Sequence, residues 1–255
     1  MAGTGKAHLR APGQSLLRVE DLVVEFPAGR GQKVHAVTDV NLDVMAGETL
    51  GLVGESGCGK STTGKAIMQL PAPTSGSVTF DGTDLTRLEP TELREIRTRL
   101  QMIFQDPISS LNPRRRIDDI VAEGLDIWKK ATGAERDRQV DEMLLTVGMD
   151  PSIVRGRRPH QFSGGQCQRI SIARAVITAP QLIVCDEPVS ALDVSVQAQI
   201  LNLLEDMKAQ YGLTLIFIAH DLAVVKNISD RVAVMYLGRL CEVGDPDLLY
   251  AHPAP

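Results

Sequence analysis

The pattern of apolar and polar positions in the first part of the chain predicts short strands separated by turns and helices. Alternating or continuous apolar positions predict strands at 17–26, 40–44, 49–53, 76–80 and 101–104. Apolar residues at helical spacing predict helices at 62–70 and 89–100. Pro27 and the glycines after it predict a break in the strand pattern over 27–32.

The second part of the chain begins with a helical pattern and returns to an alternation of helices and strands. Helical spacing predicts helices at 117–128, 135–147, 167–178 and 194–210. Apolar runs predict strands at 182–185, 213–219 and 232–236, and the first two are apolar enough to lie inside a parallel sheet. Strands alternating with helices indicate an α/β fold whose ligands bind at the carboxyl ends of the strands.

Composition and charge limit the classes of protein that this chain can belong to. Of its 255 residues 43 % are hydrophobic and 23 % are charged, which is typical of a globular protein. The formal net charge of −5 gives no support to nucleic acid as a partner. The four cysteines are widely spaced and the start of the chain lacks a secretory apolar segment, so we expect a cytosolic protein with reduced thiols.

A glycine-rich turn lies between the strand at 49–53 and the helix that follows it, and this is the context of a phosphate-binding loop. Its residues are Gly54, Glu55, Ser56, Gly57, Cys58, Gly59, Lys60, Ser61 and Thr62. In such a loop backbone N–H groups and the helix N-terminus surround an anion. Lys60 would contact the β- and γ-phosphates, and the Ser61 hydroxyl would bind Mg²⁺. The alternative, a chance glycine turn, is much weaker given the flanking strand and helix.

Three further strands end in residues that suit phosphoryl transfer. Asp186 and Glu187 follow the apolar run 182–185, where Asp186 would hold Mg²⁺ and Glu187 would deprotonate a water molecule. His220 follows 213–219 and could bind the γ-phosphate, while Gln105 follows 101–104 and could bind Mg²⁺ and the attacking water. Taken alone, the Asp-Glu pair is more often a solvated turn, Gln105 a surface glutamine and His220 a structural residue. They gain weight from the phosphate loop.

Two further features suit a nucleotide. Phe26 could stack on an adenine ring, and a core aromatic residue at a strand end is an equal alternative. Ser163, Gly164 and Gly165 open the helix at 167–178 and form a second candidate anion site. One chain has little use for two γ-phosphate sites, so a head-to-tail pair of chains would place this turn over the partner's phosphate loop. The alternative is an ordinary capped helix with Ser163 as its cap.

The order of these motifs resembles the ATP-binding subunits of ABC transporters from residue 17 to about 247. Residues 54–61 are similar to Walker A, Gln105 to the Q-loop, 162–166 to the signature motif, 182–187 to Walker B, 190–193 to the D-loop and His220 to the switch histidine. The resemblance implies an α/β fold with a P-loop NTPase (RecA-like) core, an antiparallel β subdomain and a helical subdomain. It also implies an Mg²⁺-dependent ATPase in which two subunits enclose two ATP molecules. Ser163, Gly165 and Asp193 then belong to the nucleotide-binding residues.

Several longer stretches resemble the oligopeptide, dipeptide and nickel importer subfamily. They are 104–113, 159–169, 191–199 and 217–225. This resemblance implies a peptide importer subunit held at the inner face of a bacterial membrane by permease subunits, with a second cassette, identical or paralogous, and indirectly a substrate-binding protein as partners. The alternative is a non-transport ABC ATPase that serves as an accessory subunit of a soluble enzyme complex. A small-molecule kinase explains neither the Ser163 turn nor His220.

The resemblance also sets the expected domain limits. We expect a flexible tail over 1–15 and an ABC ATP-binding domain over 16–247, with the helical subdomain at about 106–169. Residues 248–255 resemble the start of a C-terminal extension that family members usually carry, so the chain is expected to be truncated there.

Overall fold

The computed structural model describes residues 5–11, 13–29 and 31–251. These residues form two compact units. The first unit comprises the described residues up to Arg97 and those from Leu213 onward, and the second is Thr98–Gly212.

The described residues form ten strands and eleven α-helices. The strands are β1 (Leu17–Gly29), β2 (Gln32–Val44), β3 (Thr49–Gly54), β4 (Ser75–Phe80), β5 (Thr83–Asp84), β6 (Leu100–Ile103), β7 (Leu182–Asp186), β8 (Thr214–Ile218), β9 (Arg231–Tyr236) and β10 (Arg239–Gly244). The helices are α1 (Lys60–Ile67), α2 (Pro90–Ile96), α3 (Pro107–Ser110), α4 (Ile117–Val121), α5 (Glu123–Trp128), α6 (Gly133–Thr146), α7 (Pro151–Val154), α8 (Gly164–Val176), α9 (Val194–Tyr211), α10 (Leu222–Ile228) and α11 (Pro246–Ala251).

The first unit contains an antiparallel sheet in the order β2-β1-β4-β5. β1 and β2 form a hairpin that is paired from Leu17 and Val44 to Gly29 and Gln32. The predicted break at 27–32 therefore begins too early, because Pro27 still belongs to β1 and pairs with Lys33. Among the described residues β4 pairs with β1 only as far as Val23, so the missing N–H of Pro27 costs no hydrogen bond on that side.

The first unit also holds a parallel group of strands that carries the phosphate loop. β3 pairs in parallel with both β8 and β9, and β9 turns back into the antiparallel strand β10. The apolar side chains of β3 and β8 are fully buried, as expected for the centre of such a sheet. Because β3 and β8 are parallel neighbours, the turns that follow them leave the sheet at the same edge.

The second unit pairs β6 with β7 in parallel, from Leu100 opposite Leu182 to Ile103 opposite Cys185. Every described element between these two strands is a helix, α3 to α8. The predicted helix at 117–128 is two helices, α4 and α5, which meet at Ala122, where ψ is −7°. The predicted helix at 89–100 ends at Ile96, since Leu100 already belongs to β6.

The expected domain limits near the two ends of the chain remain predictions. Residues 1–4 and 12 of the predicted tail and 252–255 of the predicted extension lie outside the described residues. Within the tail, His8 Nε2 lies 2.7 Å from the carbonyl of Asn41, and the backbone N–H of Arg10 donates to Asp43 over 3.0 Å. The expected boundary after residue 247 falls inside α11. No helix among the described residues has the length and hydropathy needed to cross a bilayer.

Candidate functional site

The phosphate loop has the strand, turn and helix that its sequence predicts. β3 ends at Gly54 and α1 begins at Lys60, after Gly59 as its N-cap. Gly59 has φ 104°, a conformation that side chains rarely adopt, and a Cβ atom there would collide with the carbonyl oxygen of Ala36. The loop can therefore keep this shape only with glycine at 59.

Lys60 is held inside this loop by the loop's own carbonyl groups. Its Nζ donates to the carbonyl oxygen of Gly54 over 2.8 Å and to that of Glu55 over 2.9 Å, and the residue is 3 % exposed. Glu55, Ser56 and Gly57 are exposed around it. The ammonium group thus places a fixed positive charge within a loop that is open to solvent, which is the requirement for binding phosphate.

A turn that sequence reasoning missed supports the loop from the side. The N–H of Gly238, between β9 and β10, donates to the carbonyl of Cys58 over 2.9 Å, and the carbonyl of Gly238 accepts from the N–H of Thr38 over 2.8 Å. The sequence signal was the Gly238 that follows the predicted strand at 232–236, which marks a tight turn. Ser61 and Thr62, at the start of α1, are half-buried.

His220 and Phe26 are the other site candidates in the first unit. His220 lies two residues after the end of β8 and is exposed. It precedes Asp221, which caps α10 by accepting from the N–H groups of Ala223 and Val224. Phe26 lies opposite Val34 in the β1–β2 hairpin and is 39 % exposed. Phe26 is therefore not a buried core residue.

The second unit brings together Gln105 and Glu187, which follow the parallel strands β6 and β7. The Gln105 amide Nε2 donates to Glu187 Oε2 over 3.0 Å. Asp186, one position earlier, is 2 % exposed at the end of β7. Two of the expected strand-end residues are thus in direct contact through their side chains.

The backbone of Glu187 is in an uncommon conformation. Its φ is 46°, in the left-handed region, and its carbonyl oxygen accepts from the N–H of Ser190 over 3.3 Å and from the Ser190 hydroxyl over 3.1 Å. A non-glycine residue in this region costs of order 1 kcal/mol, and such residues concentrate at functional sites. The turn after β7 therefore fixes the direction of the Glu187 side chain at an energetic cost.

The glycine turn before α8 forms an ordinary helix cap, as in the simpler alternative, and its Ser163 is exposed. Ser163 Oγ accepts from the N–H of Gln166 over 3.3 Å, and Gln166 Oε1 accepts from the N–H of Ser163 over 2.9 Å. Gly165 packs so closely on α9 that a Cβ atom would lie 2.6 Å from Cγ1 of Val196. Asp193, the N-cap residue of α9, is exposed and makes no side-chain capping bond.

The residues expected to hold a metal were Ser61, Gln105 and Asp186, which offer a hydroxyl, an amide and a carboxylate oxygen. Among the described residues no group of three or more His, Cys, Asp or Glu side chains is arranged to bind a metal ion. Mg²⁺ prefers oxygen ligands and uses one or two carboxylates together with phosphate oxygens and water. Hydroxyl, amide and carboxylate oxygens of this kind suit Mg²⁺ and do not suit zinc.

Comparison with known proteins gives one consistent family. The family model for the ABC transporter matches residues 37–190. The chain is 53 % identical over 248 residues to the oligopeptide transport ATP-binding protein OppF of Salmonella typhimurium, covering 93 % of this chain and 74 % of that protein. It is 50 % identical over 243 residues to the dipeptide transport ATP-binding protein DppF of Lactococcus lactis, covering 94 % of this chain and 78 % of that protein.

Solved structures agree with this result. A dimeric ATP-binding cassette in a post-hydrolysis state, bound to ADP and Pi, has a TM-score of 0.82 at 28 % identity over 90 % of this chain and 98 % of that chain. The cbiO1 protein of Clostridium perfringens, part of the transporter complex cbiONQ, has a TM-score of 0.81 at 28 % identity over 94 % of this chain and 92 % of that chain. The predicted fold class is confirmed.

Proposed function

Because the chain belongs to the ABC transporter family and is an ATPase, we propose that it is the ATP-hydrolysing subunit of a bacterial importer for di- or oligopeptides. The names of its relatives support this proposal, since they are oligopeptide and dipeptide transport proteins. They give no support to an accessory ATPase of a soluble enzyme complex.

The contact between Gln105 and Glu187 carries the proposal that this subunit hydrolyses ATP with its own residues. Lys60 and the N–H groups of the loop bind the phosphates. Glu187 takes a proton from a water molecule as that water attacks the γ-phosphate, and Gln105 orients both the carboxylate and the water. His220 would hydrogen-bond the γ-phosphate, and Phe26 would stack on the adenine.

Mg²⁺ belongs to the proposal as a cofactor of ATP. Ser61, Gln105 and Asp186 are its proposed ligands, in keeping with their oxygen atoms. When bound, the ion would neutralise charge on the phosphate oxygens. Asp186 is suited to this role because a nearly buried carboxylate presents its oxygens in one fixed direction.

Dimerisation is the proposed source of mechanical work. Ser163 and Asp193 are exposed and Gly165 is half-buried, and together they would complete the ATP site of a second cassette, either identical or paralogous. ATP binding would close the pair and hydrolysis would reopen it. The dimeric state of the structurally similar cassette bound to ADP and Pi supports this proposal.

The remaining partners follow from the transport role. The helical segment at about 106–169 would pass the motion to integral-membrane permease subunits, and a substrate-binding protein would act through that permease. The chain would then lie on the cytoplasmic side of the membrane, held there by the permease. We propose that the ABC ATP-binding domain spans residues 16–247.

Size-exclusion chromatography of the Glu187→Gln protein, with and without Mg-ATP, tests the ATP-driven pairing. We expect an ATP-dependent shift from monomer to dimer, because the variant binds ATP and cannot hydrolyse it. A protein that binds ATP and stays monomeric when mixed with every paralogous cassette of its host would contradict the proposal.

Uptake of labelled peptides tests the transport role. Cells lacking this chain should lose uptake of di- or oligopeptides, and the wild-type chain should restore it where Glu187→Gln does not. Uptake of a free amino acid is the control and should not change. Unchanged peptide uptake in the deletion strain, measured with other peptide importers removed, would contradict peptide import.

A further inference from the structure

Helix α8 carries a line of polar residues on a side that faces other helices. Gln168, Ser171 and Arg174 follow one another at intervals of three, which places them along one stripe of the helix. Gln168 is 0 % exposed and Ser171 is 1 % exposed, and Arg174 is half-buried. We call these three residues the α8 stripe.

The α8 stripe is bonded to the short helix α3. The Arg174 guanidinium donates to the carbonyl oxygen of Ser110 over 2.7 Å. The hydroxyl groups of Ser171 and Ser110 lie 3.3 Å apart. Two of the three stripe residues therefore contact the same residue, Ser110, at the C-terminal end of α3.

Ser110 is tied in turn to the start of α3. Its N–H donates to the carbonyl of Asp106 over 3.1 Å, and its hydroxyl donates to the carbonyl of Pro107 over 3.0 Å. Asp106 caps this turn by accepting from the N–H groups of Ile108 and Ser109. Since Gln105 directly precedes Asp106, the side chain that holds Glu187 is attached to a single rigid turn, and Arg174 holds the other end of that turn.

Burying the polar groups of Arg174 and Gln168 in the α8 stripe does not favour folding. Burial lowers the pKa of Arg174, which means that the surroundings disfavour its charge. Neither amide atom of Gln168 has a hydrogen-bond partner among the described residues, and an unsatisfied buried group costs about 1–3 kcal/mol. An apolar stripe would pack α8 at lower cost.

We infer that Arg174 is a positioning residue for ATP hydrolysis, which acts by holding Ser110 and so fixing the α3 turn that carries Gln105 toward Glu187. The inference rests on the proposed roles of Gln105 and Glu187. Helix α8 would then have two roles. Ser163 at its start would contribute to the ATP site of a second cassette, and Arg174 would fix the position of Gln105.

The α8 helix offers a matched control. Arg169 donates to the carbonyl oxygen of Val147 over 2.7 Å, the same kind of bond at the same length, and it also donates to Gln199. Replacing Arg169 removes an equivalent arginine–carbonyl bond that does not involve α3.

The experiment measures steady-state ATP hydrolysis by Arg174→Met, Arg174→Lys and Arg169→Met. We expect Arg174→Met to lower kcat about tenfold with KM for ATP changed less than about twofold, because misplacement of a reacting group by about 1 Å can cost up to 10²-fold in rate. Arg174→Lys should recover most of the rate, since an ammonium can donate to the same carbonyl. Arg169→Met should stay near the wild-type kcat.

A double-mutant cycle separates positioning from a general loss of structure. If Arg174 acts through Gln105, then Arg174→Met should cost no further rate in a Gln105→Ala background. Equal losses from Arg174→Met in both backgrounds, or equal kcat values for Arg174→Met and Arg169→Met, would overturn the inference. Failure of the proposed function gives a different result, namely a Glu187→Gln protein that hydrolyses ATP as fast as the wild type.

Discussion

The side-chain amide of Gln105 donates to Glu187 Oε2 over 3.0 Å, and this bond joins the residues that follow two neighbouring parallel strands. A carboxylate has about four acceptor positions on its two oxygens, so the bond from the amide does not prevent Glu187 from accepting from a water molecule as well. The left-handed backbone of Glu187 limits the directions in which that carboxylate can point. The chain's own contacts therefore hold the pair together.

Replacing Glu187 should separate ATP binding from ATP hydrolysis. Glu187→Gln keeps an oxygen that can accept from Gln105, so the turn should hold its shape while the base is lost. We expect turnover to fall roughly 10² to 10⁴-fold, as for the loss of a general base, with ATP affinity nearly unchanged. Glu205→Gln, an exposed carboxylate on α9, is the control and should hydrolyse ATP normally. Near-normal turnover in Glu187→Gln would remove Glu187 from this role.

Substitutions at Ser163 can test whether this residue contacts ATP bound by a second cassette while the cap of helix α8 is preserved. Asp and Asn cap helices about as well as Ser, so Ser163→Asp and Ser163→Asn should both leave α8 stable. Only Ser163→Asp adds a negative charge, which would repel the γ-phosphate of an ATP bound by a second cassette. In the Glu187→Gln background we expect Ser163→Asp to abolish the ATP-induced dimer on size-exclusion chromatography. Ser163→Asn should keep a larger fraction of the protein in the dimer than Ser163→Asp does. Equal dimerisation by the two variants would place Ser163 outside the partner's site.

The sequence allowed the phosphate loop and the strand ends to be predicted because their signals are local. Glycines before Lys60 and a fully apolar run before Asp186 describe a turn and a buried strand without reference to the rest of the chain. The Gln105–Glu187 bond was not predictable in the same way, since it depends on how two side chains leave neighbouring strands.

Strand β10 and the last part of β1, both in the first unit, escaped prediction for physical reasons. β10 alternates exposed and half-buried residues over its first half, so its apolar pattern is weak, and the role of Gly238 beside the phosphate loop was missed with it. β1 runs through Pro27 because β4 ends its pairing earlier, and the pairing range of a neighbouring strand cannot be seen in a local pattern.

Modification of Cys58 should inactivate the ATPase, and ATP should protect it. Cys58 is 5 % exposed within the phosphate loop, with its Sγ 4.0 Å from Lys60 Nζ, so an added group would disturb the lysine that binds phosphate. Burial raises the pKa of Cys185 to about 12 and also raises the pKa of Cys167, so these thiols should not react at pH 7.

The modification is best measured with a small methylthiolating reagent, which forms a mixed disulfide with the thiol, and mass spectrometry in a Cys241→Ser background, because Cys241 is the exposed thiol among the four. We expect activity loss to follow Cys58 labelling, and saturating ATP to slow both. Cys58→Ala should resist the reagent. Full activity after confirmed Cys58 modification would contradict this prediction.

A buried ion-pair cluster should make the first unit sensitive to acid. Asp43 is 0 % exposed, and its Oδ1 accepts from the Arg231 guanidinium over 2.7 Å, while Arg10 contributes a backbone N–H at 3.0 Å. Burial opposes ionisation of Asp43, but the bonds from Arg10 and Arg231 outweigh it, so the pKa of Asp43 lies below its usual value. Its stabilising contribution is therefore complete above the unfolded pKa of about 3.9 and is lost as pH falls through the lower folded pKa.

The variant Asp43→Asn should show how much of the acid sensitivity belongs to this cluster. It removes one of the two carboxylates beside the largely buried Arg231, since Glu48 Oε1 still lies 3.2 Å from Arg231 Nε. We therefore expect the free energy of unfolding at pH 7 to fall by about 2 kcal/mol, as for the loss of a hydrogen bond to a charged group. Denaturant titrations at pH 7 and pH 3 should then show a smaller loss on acidification than in the wild type. Glu25→Gln is the control, because Lys33, the partner of Glu25, is 60 % exposed, so the loss of this ion pair should change stability by less than about 1 kcal/mol. Parallel losses on acidification in Asp43→Asn and the wild type would mean that other carboxylates cause the acid sensitivity.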